Sequence, residues 1–186
     1  SIITTGIDTS SVLQTINKMG QYYDQIIIGA YGPFAKDIID IGLHQGIQWK
    51  KYNIKFIFSA EAFPESFRDY IGKIIGSKNI LLDTLNHYGT VDLGTMSYET
   101  PLCILIRKLA EKDTELYKEI FGDIVKIPTL TQYLPELFYF ESIDNNLFCT
   151  SDSAIPLLRY NLEDRGRVLK FNEMNLIFKK YNINLS

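Results

Sequence analysis

The sequence predicts an α/β fold: a parallel sheet with helices on both faces, followed by a smaller, mostly antiparallel β portion. Three observations carry the prediction. Residues 25–30 and 54–59 are nearly continuous apolar runs, as expected of strands covered on both sides. Each run is followed by apolar residues at helical spacing, and strand–helix alternation favours parallel pairing through crossovers. Beyond Asp123 the pattern shortens into segments separated by turn residues, which suits antiparallel hairpins.

Taken in order, the first twenty or so residues are rich in Ser and Thr (Thr4, Thr5, Thr9, Ser10, Ser11) and include an amphipathic segment over 12–19. Ile26, Ile27 and Ile28 form the centre of the first predicted strand. Gly32-Pro33 opens a helix with apolar positions Phe34, Ile38, Ile39 and Ile41, ending near Gly42. After the second strand, Pro64 starts a helix with Phe67, Tyr70, Ile71, Ile74 and Ile75 on one face and Gly76 as its stop. Residues 79–82 are predicted as a third strand. Thr100-Pro101 supplies a cap and a first helical position for a helix expected to run to Phe121, with Gly122 as its stop. Residues 138–143 and 147–150 flank Asp144-Asn145-Asn146, read as a hairpin with a three-residue turn. Residues 155–160 and 166–170 are predicted as further strands, and Asn172 as the cap of a final helix through Tyr181.

Composition narrows the functional classes. The chain has 186 residues, 46% hydrophobic and 22% charged, a globular balance that suits one domain or two small ones. The net charge is −3 and no Lys/Arg run exceeds a pair, so there is no electrostatic footprint for nucleic acid. No apolar run reaches membrane-spanning length. Cys103 and Cys149 lie far apart with no His or Cys at metal-ligand spacing, and are read as buried reduced thiols of a cytoplasmic protein. His44 and His87 lack a neighbouring Ser or Cys nucleophile, which disfavours a hydrolase triad. Glu111, Asp113, Glu115 and Glu119 alternate with lysines and read as the solvated face of one long helix.

Ligands of parallel α/β sheets sit where loops leave the carboxyl ends of strands. Two loops qualify. Ser59-Ala60-Glu61-Ala62 offers small residues that permit close backbone approach. Residues 86–92, Asn-His-Tyr-Gly-Thr-Val-Asp, offer an aromatic face and a carboxylate able to hold Mg²⁺ beside a phosphate. A third segment, from Ile155 through Gly166, reads as a strand ending in a turn that bears Asp164. Each alone is an ordinary strand end or turn.

Their order is more specific. Ser59-Ala60-Glu61-Ala62-Phe63-Pro64, then Tyr88-Gly89-Thr90-Val91-Asp92, then Pro156-Leu157-Leu158-Arg159-Tyr160 through Asp164 and Gly166 together resemble the adenylate-forming enzymes, above all the phenylacetate–CoA ligase branch. Tyr98-Glu99 and the hairpin bearing Phe140-Glu141, Asp144 and Thr150 also fit, so the resemblance spans roughly residues 22–175. It implies an ATP-dependent carboxylate–CoA ligase that forms an acyl-adenylate and then an acyl-CoA from phenylacetate or a similar acid, with ATP/AMP, Mg²⁺ and CoA as cofactors. Residues 1–122 would form the nucleotide-binding α/β subdomain, and 123–186 a β-rich subdomain with a C-terminal helix. By the same resemblance, Ser59, Ala60 and Glu61 would border the adenine and Tyr88 would stack on it. Gly89 belongs to that Tyr-Gly segment, and Thr90 would face the α-phosphate. Asp92 would take the place of the Mg²⁺-associated acid, and Asp164 would accept the two ribose hydroxyls. Arg159 is open between the phosphate and an ion pair within the sheet, the latter favoured. Tyr31, Phe34 and Met96 are candidates for the acyl pocket.

The sequence departs from the family pattern at Val91, where a hydroxyl residue is usual, and at Asp92, one methylene shorter than the usual Glu. No Gly/Ser/Thr-rich phosphate loop with a Lys occurs, and the small C-terminal domain with its mobile Lys is absent from this sequence. The expectation is therefore a central fragment, inactive by itself. The alternative is a module that binds an adenylate, or only a partner protein, without turnover.

Overall fold

The computed structural model describes residues 1–152 and 156–183. Among them the chain forms two sheets, one of five strands and one of three. Ile155, where a strand was expected to begin, and Asn184, Leu185 and Ser186 lie outside the described residues.

Helix α1 (Thr9–Met19) is capped by Asp8, whose carboxylate accepts from Ser10 N–H, and precedes strand β1 (Ile26–Tyr31). Helix α2 (Gly32–His44) has Pro33 in its first turn, where the missing N–H costs nothing. Strand β2 (Ile54–Ser59) leads through Phe63-Pro64 to helix α3 (Glu65–Ile75), which stops at left-handed Gly76. β1 and β2 pair in parallel, with Tyr31 beside Ser59 at their carboxyl ends.

The third strand differs from expectation. Residues 80–83 form a helical turn, α4 (Ile80–Asp83), capped by the Asn79 side chain on Leu81 N–H. The strand itself, β3 (Thr84–Thr90), begins later and takes in Asn86-His87-Tyr88-Gly89, residues read from sequence as loop. β3 is parallel to β2 through Phe56–Thr84 and Phe58–Asn86, then turns back into β4 (Gly94–Tyr98), its antiparallel neighbour. The order β1-β2-β3-β4-β5 is thus parallel over its first three strands and antiparallel at its end.

The long helix expected from Thr100 to Phe121 is two helices, α5 (Pro101–Ala110) and α6 (Thr114–Phe121). Asp113 makes the break: its carboxylate caps α6 by accepting from Glu115 and Leu116 N–H, an arrangement incompatible with an unbroken helix. Short β5 (Gln132–Tyr133) closes the larger sheet.

The smaller sheet contains β6 (Phe138–Ile143), β7 (Asn146–Ser151) and β8 (Leu157–Arg165) in antiparallel order. The β6–β7 turn holds two residues rather than three. Asp144 and Asn145 both have positive φ, 51° and 63°, the primed-turn geometry that matches strand twist and that Asp and Asn tolerate. Residues 166–170 are not a strand. Helix α7 (Phe171–Lys180) begins one residue before Asn172, with the Glu173 side chain accepting from Lys170 N–H.

Among the described residues three apolar clusters hold these parts. The largest joins α1, α2 and α3 to one face of β1 and β2 through Leu13, Ile38, Phe56, Phe58 and Ile71. At β1 the opposite face stays partly open, with Ile27 56% exposed, so the isoleucine run there is covered fully on one side only. A second cluster packs α7 against α5 and α6. The third joins the β3–β4 hairpin to the smaller sheet through Leu93, Met96, Phe140, Cys149 and Leu162. Among the described residues no helix is long and apolar enough to cross a membrane.

Candidate functional site

The carboxyl ends of β2 and β3 stand side by side because the two strands are parallel. Ser59 ends β2, half-buried. Ala60 follows with φ 70°, a left-handed backbone unusual for a residue with a side chain, and Glu61 N–H turns back onto the Ser59 carbonyl at 2.9 Å. Ala60 and Glu61 are exposed. Asn86 on β3 fastens this turn: its Nδ2 donates to the Glu61 carbonyl at 3.1 Å and to Thr129 Oγ1 at 3.3 Å. Only the amide nitrogen can donate to a carbonyl, so the orientation of the Asn86 side chain is fixed and Oδ1 points the other way. That oxygen is buried with no hydrogen-bond partner.

Farther along the hairpin, the Tyr88 hydroxyl donates to Asp164 Oδ2 on β8 at 2.6 Å, across 76 residues of sequence. Burial and the neighbouring carboxylate push the Tyr88 phenol well above its ordinary value, so it remains a donor at any physiological pH. Its ring lies 6.5 Å from that of Phe140. A second pair of the same kind joins the same two segments: the Tyr160 hydroxyl donates to Asp92 Oδ2 at 2.6 Å. Asp92 and Asp164 are both exposed. Tyr160 is shifted up as well, first by its bond to Asp92. Thr90 Oγ1 accepts from Leu93 N–H at 3.1 Å and so braces the hairpin turn, while Val91 stands fully exposed at its tip.

Gly89 has a structural reason of its own. A Cβ there would meet the Gly94 carbonyl oxygen at 2.3 Å, so the hairpin can close only with glycine at this position. The strand slips register between Tyr88 and Gly89.

Of the residues named from sequence, the fold pairs Tyr88 with Asp164, sets Asp92 against Tyr160 instead, and ties the Ser59-Ala60-Glu61 turn to β3 through Asn86. Sequence reasoning missed Asn86 and Tyr160 as partners, because nothing local marks a strand asparagine as holding a distant turn, or a strand tyrosine as facing an acid from another sheet. Arg159 pairs with Glu141, 3.1 Å apart, and its N–H donates to Thr150. The acyl-pocket candidates do not converge: Tyr31 and Phe34 belong to the largest cluster, and Met96 to the hairpin seam.

A further group beneath the site went unforeseen. Glu65, Arg68, Glu99 and Arg107 are all at most 2% exposed. Arg68 bridges Glu65, at 2.7 Å, and Glu99, at 2.8 Å, and donates to Thr84 at 2.9 Å. Arg107 lies 3.1 Å from Glu99 and 3.0 Å from Glu65, and donates to the Phe63 carbonyl. Glu99 also accepts from Asn86 N–H at 2.8 Å, and its own N–H donates to the Asn86 carbonyl at 2.8 Å. The cluster therefore sets the backbone of the strand residue that fastens the Ser59–Glu61 turn.

Two chemistries lose ground here. Cys103 and Cys149 are free and buried, and burial pushes the Cys149 thiol up to about 11, far from a reactive thiolate. Among the described residues no group of three or more His, Cys, Asp or Glu could hold a metal. Asp92 alone suits only a cation that arrives already bound to a substrate phosphate, the usual mode for Mg²⁺. The sequence matches no family model and no curated protein.

Proposed function

We propose that this chain carries the adenosine-holding wall of an adenylate-forming carboxylate–CoA ligase of the phenylacetate type. The observation that carries the reading is the 2.6 Å approach of Tyr88 to Asp164, which sets an aromatic ring and an exposed carboxylate from distant segments against each other. Adenosine has a flat ring for the first and a vicinal diol for the second. Asp92 would meet the Mg²⁺ that accompanies ATP, and Thr90 the side of the α-phosphate. In the complete reaction a carboxylate attacks that phosphate and pyrophosphate leaves; the CoA thiol then attacks the acyl carbon and AMP leaves. Positioning and charge neutralisation supply most of the rate. The free thiols fit a cytoplasmic setting.

Calorimetry with AMP tests the reading. Wild type should bind, and Asp164→Ala, an exposed position on β8, should reduce binding below detection. Equal affinity in the two proteins would remove Asp164 from the site and the reading with it.

The alternative, an adenylate-binding module without turnover, is favoured by Val91. Its fully exposed apolar side chain stands at the hairpin tip, where a hydroxyl would serve the phosphate. Formation of an acyl-adenylate from Mg·ATP and an aryl acetate by the chain would exclude this alternative, and with it the expectation that the chain is inactive by itself.

A further inference from the structure

The two tyrosine–aspartate pairs are reciprocal. The β3–β4 hairpin contributes Tyr88 and Asp92; β8 contributes Asp164 and Tyr160. In each pair the phenol of one segment donates to the Oδ2 atom of the other segment's carboxylate. Among the described residues neither acid has another hydrogen bond or ion pair, so in each of these exposed residues the Oδ1 atom is left without a protein partner.

A carboxylate has about four acceptor sites, and one phenol uses one of them. What the phenol removes is rotational freedom. An untethered aspartate on an exposed strand or turn samples several rotamers, and a ligand must select one at an entropic cost. Held by a tyrosine whose ring is itself packed or strand-bound, the same carboxylate presents its second oxygen in a fixed direction. The rings of Tyr88 and Tyr160 also pack, partly buried, on the apolar seam that joins the hairpin to the smaller sheet, so attachment does not fall to their hydroxyls alone. Leu93, Met96, Phe140, Cys149 and Leu162 form the buried part of that seam.

We propose that Tyr88 and Tyr160 are positioning residues, the first presetting Asp164 for a vicinal diol and the second presetting Asp92 for a phosphate-bound divalent cation. The assignment rests on the nucleotide reading above and adds to it the source of order in two exposed acids. It gives the Tyr88 hydroxyl a task separate from its ring, and gives Tyr160, which the sequence reading passed over, a place in the site.

Calorimetry on the full chain separates these tasks through two affinity ratios. AMP against 2′,3′-dideoxy-AMP measures what the diol contributes. ATP with Mg²⁺ against ATP with EDTA measures what the cation contributes. Tyr88→Phe keeps the ring and should shrink the diol ratio by about tenfold, the scale of one hydrogen bond to a charged group. Tyr160→Phe should shrink the cation ratio by a similar factor. Circular dichroism checks that both variants are folded. Ratios that stay at the wild-type values, or rise because the phenols compete with ligand, overturn the proposal. So does a parallel fall of both ratios in both variants, which would mark a general loosening of the seam. Wild type that fails to bind AMP sinks the nucleotide reading and this assignment together; wild-type binding with unaltered ratios sinks this assignment alone.

Discussion

Glu65 and Arg68 sit three residues apart on α3 and look in sequence like an ordinary surface pair. In the fold they are sealed, together with Glu99 and Arg107, against the Phe63 ring, with Arg68 4.9 Å from its centroid. Charges taken out of water need every partner. Removing one leaves its counterpart buried and uncompensated, at a cost of roughly 3–5 kcal/mol. Arg68→Met, close in volume, should therefore destabilise the protein by about that amount in urea unfolding. A change under about 1 kcal/mol would mean that the remaining charges re-pair without loss. The sequence could not mark this cluster, since its members are scattered over α3, the end of β4 and α5. Only burial distinguishes them from solvated charges. The same holds for Asn86: its identity is visible, its unpartnered oxygen is not.

At the scale of elements, the β3–β4 hairpin shows how local chemistry and tertiary placement divide the work. The sequence places Tyr88-Gly89 in a loop, because it puts the third strand at residues 79–82 and a Tyr-Gly pair commonly marks a turn. The strand extends through it, and the turn falls at residues 91–93, because pairing with β2 and then β4 satisfies the backbone groups of Thr84 through Thr90. Gly89 is needed by the close approach of Gly94. Gly89→Ala should cost about 1–3 kcal/mol through displaced backbone, measured by thermal unfolding. Unchanged stability would mean that the hairpin can open without penalty. The split between α5 and α6 has a similar lesson. Acid and lysine spacing continued the helical pattern across it, but a capping aspartate outweighs a run of favourable helix formers.

For the whole molecule, the apolar clusters differ in extent. The layer of α1, α2 and α3 on β1 and β2 includes large, fully buried side chains such as Trp49, Phe56, Phe58 and Ile38. The seam under the smaller sheet rests on fewer buried groups, and that sheet exposes Tyr139, Ile143 and Leu158. Local opening follows buried contacts, so native-state hydrogen exchange should show β6, β7 and β8 exchanging before β1 and β2. Equal protection in the two sheets would show that they unfold as one unit. Nucleotide, if it bridges the hairpin and β8 as proposed, should slow exchange in the smaller sheet in particular.

The sequence by itself determined the α/β class, the positions of the first two strands and of the helices that follow them, the start of α5 at Thr100-Pro101 and the existence of the β6–β7 hairpin. These rest on short-range physics: apolar periodicity, caps, and the fixed φ of proline. It also named Tyr88, Asp92 and Asp164, through the order of motifs rather than any local signal. Tertiary structure decided the rest. It moved the third strand past the Ile80–Asp83 turn, reversed the sheet after β3, carried α7 back onto α5 and α6, and buried four charges under Asn86. It set each aspartate against a tyrosine from the other segment. Those choices depend on which surfaces meet across long stretches of chain, and periodicity within a window carries no information about the partner.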